Sequence, residues 1–145
     1  MWRFRTCASG VLDRFARSAR QAGALEAKGG RVTVAENLQE VVGALLDSLP
    51  PAVVGLAMTR PAAASHTREG LQSGVPAFDA IQQHVTAYLQ AEQHAGRIPA
   101  GSDAAATIAL ALVGTTHHLL MTRDPAHPTD TAATAQRLLA VLLPC

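Results

Sequence analysis

The sequence predicts an all-α fold, an antiparallel bundle of about six to seven helices. Three observations lead there. Apolar residues recur at steps of three and four over long stretches, the spacing that lines one face of a helix. Breaks such as Gly29-Gly30, Pro50-Pro51 and Gly96 to Pro99 fall between those stretches. No alternating apolar–polar run reaches strand length, since Val32-Thr33-Val34 is too short. A chain of 145 residues with 48% hydrophobic content can bury one core, so a single domain over 11–145 is expected. Residues 1–10 carry no pattern and are expected to fray.

The elements follow in order. Over 11–26, Leu12, Phe15, Ala16, Ala19 and Leu25 fall on one face, with Arg14, Arg17, Arg20 and Gln21 outward. Asp13 and Arg17 are spaced to pair across one turn. Gly29-Gly30 then breaks the chain. Thr33 opens the next helix, with Glu36 three residues on completing a capping box. Leu38, Val41, Val42, Leu45, Leu46 and Leu49 follow without a miss, and Pro50-Pro51 stops the run. A short apolar helix over 52–59 carries Val53, Val54, Leu56 and Met58. Residues 62–74 read as a short helix and a loop.

Two long helices then form the centre of the chain. In 77–95, Phe78, Ile81, Val85, Tyr88 and Leu89 line one face. Gly96 stands where a helix end wants a left-handed residue, and Pro99 prevents continuation. Ser102 and Asp103 offer side-chain oxygens to the start of the following helix. That helix, 104–121, has no charged residue, and its apolar residues cover well over half its circumference. It is expected to be buried nearly all round, with Ala and Gly114 leaving room for another helix close by. After a proline-rich turn, Asp130 or Thr131 caps a last helix with Ala135, Leu138, Leu139 and Leu142 inward.

Charge and composition exclude several functions. Aromatics make up 3%, too few for a base-stacking platform. Net charge is +1, yet residues 1–31 hold seven basic residues against two acidic ones, and the remainder five against nine. Two readings stand: a solvated helix face, or a front end lying near a polyanion. Cys7 and Cys145 sit at opposite ends and form no disulfide framework, and the N-terminus lacks the apolar core of a signal peptide. A cytoplasmic location is expected. The 104–121 helix is long enough to span a membrane, but Thr115, Thr116, His117 and His118 would be costly there, so a buried soluble helix is expected.

No catalytic, cofactor or metal motif emerges. The six histidines include no i, i+4 pair and no Glu-x-x-His. A zinc site needs three or four converging ligands. Ser65-His66 has no carboxylate or glycine elbow near it. The chain is read as a non-enzyme with no metal and no cofactor. Met58, Phe78, His84, Tyr88 and His117 are the candidates to line a cavity between helices, with plain core packing as the competing reading for the apolar ones.

The run Tyr88-Leu89-Gln90-Ala91-Glu92-Gln93-His94-Ala95-Gly96-Arg97-Ile98, then Ser102-Asp103-Ala104-Ala105-Ala106 and an apolar helix, resembles the C-terminal domain of tetracycline-repressor (TetR) family regulators. The resemblance extends over about 11–144. It implies an effector-binding and dimerisation body of a transcriptional repressor, a homodimer that takes a small apolar effector. The 11–26 helix resembles the one linking that body to a DNA-binding head. The helix-turn-helix head itself has no counterpart here, so DNA would be reached only through a missing N-terminal head. The resemblance also implies that the last two helices pair with their symmetry mates, with Ile108, Leu112, Thr116, Leu119, Leu138 and Leu142 at the contact. A stand-alone helical dimerisation module without DNA binding is the alternative reading.

Overall fold

The structure is a computed structural model that describes residues 17–18, 20–48, 78–99, 103–124, 126–127 and 129–143. Among these residues it is all-helical, with no strand. The five helices are α1 (Leu25–Lys28), α2 (Val34–Ser48), α3 (Phe78–His94), α4 (Ala104–Thr122) and α5 (Thr131–Leu142). The expected short helices at 52–59 and 62–74 lie outside the described residues, as do Asp13 and most of the first expected helix. What is described of that helix is helical through Gly23, turns at Ala24 and resumes as α1. Leu25 is buried, and Arg17 and Arg20 are exposed, as their spacing predicts; Ala22 is buried as well. Gln21 departs from its outward assignment: it is half-buried, and its Oε1 is enclosed without a hydrogen-bond partner among the described residues.

Local signals set the helix ends. The Thr33 backbone N–H and hydroxyl both donate to Glu36 Oε2, at 3.0 and 2.6 Å, and the Glu36 N–H donates back to Thr33 Oγ1 at 3.2 Å. That reciprocal pair satisfies donors which the first turn of α2 leaves open. At the end of α3, Gly96 has φ +72°, Arg97 N–H donates to Glu92 O at 3.0 Å, and Gly96 N–H to Gln93 O at 2.9 Å. This is a Schellman closure, which a residue without Cβ adopts at no steric cost. Asp130 caps α5 by accepting the Ala133 N–H at 3.0 Å. Asp103 does not cap α4 with its side chain: its backbone, at φ −114° and ψ 2°, is not the extended form that aims a carboxylate at the first turn.

Packing joins α3 to α4 most extensively, and α2 to both α4 and α5. Phe78 at the start of α3 meets His117 near the end of α4, so these two helices run antiparallel. Leu38, Ile81, Val85, Leu89, Ala109, Leu120 and Ala135 have no exposed surface. Each leucine buried this way contributes about 1.5–3 kcal/mol of transfer free energy. Arg123, just past α4, donates from Nη1 to the Leu46 carbonyl at 2.6 Å, placing a cation at the negative end of α2.

The expectation that α4 is buried nearly all round is met only on one arc. Ala105, Ala109, Leu112, Val113, Thr116 and Leu120 are buried, and Ile108 and Leu119 pack partly against the core. The opposite side is open: Leu110 is 58% exposed, and Gly114, His117 and Met121 share its face. A helix apolar on every side has no polar stripe to orient it, so only its neighbours decide which arc is covered. By length and composition α4 could also cross a membrane, yet its inner arc packs on α2, α3 and α5.

Candidate functional site

The apolar stripe of α3 carries polar residues at its far end. Ile81, Val85, Tyr88 and Leu89 are followed on the same face by Glu92, which is 1% exposed. On α2, Asn37 likewise stands within the Val34, Leu38, Val41 stripe and is buried. The two helices bring these groups together. Asn37 Nδ2 donates to the Tyr88 hydroxyl oxygen at 2.9 Å. Glu92, one turn on from Tyr88, forms an ion pair with Arg97 from the α3–α4 corner. Burial pushes the Tyr88 phenol above its ordinary value; the Asn37 bond opposes this, and the Glu92 charge adds to it. The Arg97 guanidinium reaches Gly30, with Nη1 3.7 Å from where a Cβ would stand. Gly30 itself has φ +77°, a left-handed conformation that a residue without Cβ adopts at no steric cost.

Of the five cavity candidates, the structure brings two together. Phe78 and His117 meet edge to face, with ring centroids 4.6 Å apart at 70°. His84, on an exposed side of α3, instead lies over Gly23. Tyr88 is about 15 Å further along the helix axis from Phe78, at 1.5 Å per residue, and is wholly buried. Met58 lies outside the described residues. The six interface candidates face inward: Leu112 and Thr116 are buried within the subunit, and Ile108, Leu119, Leu138 and Leu142 pack partly against the core. The four partly buried ones keep some exposed surface.

Two open clefts lie elsewhere. One, of about 490 Å³, runs between α2 and the start of α5 and is lined by Val32, Glu36, Glu40, Gly43, Asp47 and Thr131, among others. The other, at the α4–α5 corner, includes Leu46, Arg123, Asp124, His127 and Thr134. Here His127 Nδ1 and Asp124 Oδ2 are 2.6 Å apart, and Asp124 Oδ1 accepts the Ala126 N–H at 2.9 Å. That backbone bond and the His127 contact hold the Asp124 carboxyl below its ordinary value. An Asp–His contact of this kind can orient an imidazole. The Thr134 hydroxyl is turned away, donating to Asp130 O at 2.8 Å. Among the described residues, no group of three or more His, Cys, Asp or Glu is placed to hold a metal ion.

Sequence reasoning had singled out Tyr88 but not its polar partners. The available signal was Asn37 and Glu92 standing at apolar positions of two amphipathic stripes. The Asp124–His127 pair had only a short turn for a signal. No protein-family description, curated protein or solved structure matches this chain.

Proposed function

We propose that the chain is the effector-binding and dimerisation body of a transcriptional regulator similar to the tetracycline-repressor family, acting in the cytoplasm without catalysis of its own. One observation carries the reading: α4 has no charge along its whole length and leaves the face of Leu110, Gly114, His117 and Met121 open. The outward sides of α2, α3 and α5 carry Glu36, Glu40, Asp47, Asp79 and Arg137. A charged partner would lose hydration on the α4 face and gain no counter-charge. The same face on a second copy has nothing to desolvate at that cost, and a two-fold contact sets one patch against itself. Gly114 has no heavy atom within 4 Å of where its Cβ would stand, which leaves room for a helix to come close. We place the interface of this homodimer on the outer arc of α4.

A small apolar effector, bound beside the Phe78–His117 pair, biases two arrangements of the body. The segment before Gly29-Gly30 passes that bias to a DNA-binding head outside this chain. Such coupling requires unequal effector affinity for the two arrangements. Sedimentation equilibrium tests the dimer. The wild-type chain is expected to be dimeric at micromolar concentration, and Leu110→Glu monomeric with unchanged helix content. A monomeric wild type, or a Leu110→Glu dimer of undiminished affinity, overturns the reading.

A further inference from the structure

We propose that His117 and His118 make the α4 contact acid-sensitive, so that the dimer forms above neutrality and dissociates as the imidazoles take up protons. This rests on the dimer reading above. The two histidines are the only titratable residues on the 19-residue α4, and both are exposed. His117 stands on the same face as Leu110, Gly114 and Met121, and His118 flanks it. A two-fold contact through that face gathers four imidazoles at one uncharged interface. Neutral imidazoles are tolerated there. Protonated ones must shed water and face one another without counter-charge.

Among the described residues, no charged group is paired with either imidazole. The His117 ring meets Phe78 of α3 edge to face. The titratable groups that α3 brings toward this end are Asp79 and His84, and α2 brings Asp47. From α5 and its cap come Asp130 and Arg137. In the loop after α4, Arg123 is engaged with the Leu46 carbonyl, and Asp124 with His127. No hydrogen bond or ion pair joins either imidazole to any of these described groups.

Sedimentation equilibrium at about pH 8 and about pH 5.5, on either side of the ordinary imidazole range, tests the inference. Wild-type and His117→Gln/His118→Gln chains are compared, with circular dichroism at both pH values to confirm equal helix content. The wild-type dissociation constant is expected to rise by about tenfold or more at the acid pH, and that of the double variant by less than about threefold. Single variants, His117→Gln and His118→Gln, give the same reading if the double variant loses helix. A wild-type constant that does not move with pH overturns the inference and leaves the dimer standing. A variant that keeps the full shift does the same and assigns the response to another group. A wild type monomeric at about pH 8 removes both the inference and the dimer reading.

Discussion

Replacing Tyr88 with phenylalanine deletes one oxygen from the interior and nothing from the packing. Tyr88 and Asn37 are each 1% exposed, so water cannot substitute for the lost partner. The Asn37 amide, which donates to that oxygen at 2.9 Å, is left as a buried donor without an acceptor. An orphaned buried donor costs about 1–3 kcal/mol, so a loss of about 2 kcal/mol is expected. With a urea slope of about 2 kcal/mol per molar, the unfolding midpoint falls by about 1 M. Pairing Tyr88→Phe with Asn37→Leu removes both ends of the bond. The double variant is then expected to recover part of the loss, a coupling of about 0.5–3 kcal/mol. Urea unfolding of the four chains, followed by circular dichroism, measures the cycle. A midpoint for Tyr88→Phe within error of wild type, or strict additivity of the two changes, refutes the buried Asn37–Tyr88 bond.

Glycine separates two backbone roles. Gly96→Ala forces a side chain onto φ +72° and is expected to lose about 1–2 kcal/mol in thermal unfolding. Gly43→Ala, in the middle of α2 with open space around it, gains about 0.5–1 kcal/mol; a loss there contradicts the helix register. Glu36 gives a pH signature. The Thr33 hydroxyl and N–H hold its carboxyl below the ordinary value of 4.5, so its contribution is present above that value and lost as pH falls through the lowered one. Glu36→Gln should therefore be less stable than wild type near neutrality and converge with it in acid, and a constant gap across the range contradicts the capping box. Leu89→Ala, at a site with no exposed surface, is expected to lose about 2–5 kcal/mol, whereas Val141→Ser, at a residue 83% exposed, shifts stability by less than about 0.5 kcal/mol; equal losses in urea unfolding contradict the burial pattern.

The legible parts of this chain are those governed by near neighbours. Thr33 with Glu36, Gly96 before Arg97, and Asp130 before Ala133 are decided within four residues, and each holds in the structure. The same is true of the α2 and α3 stripes, because their polar residues mark which side faces out. Asp103 shows the limit: a good capping residue in sequence, its backbone angles turn its carboxylate from the task. The cavity candidates were legible only as residue types. Phe78 and His117 meet because α3 and α4 run antiparallel, while His84 three turns before the end of α3 points elsewhere.

By itself, then, the sequence determined an all-helical chain, the ends of its helices and the inward faces of the amphipathic ones, since those depend on spacing and on hydrogen bonds between close neighbours. Only tertiary structure decided which arc of the uncharged α4 is covered, and that Asn37 meets Tyr88 in the interior beside the buried Glu92, whose partner Arg97 is exposed. A uniformly apolar helix has no preferred side until other helices pack on it, and Asn37 and Tyr88 are 51 residues apart.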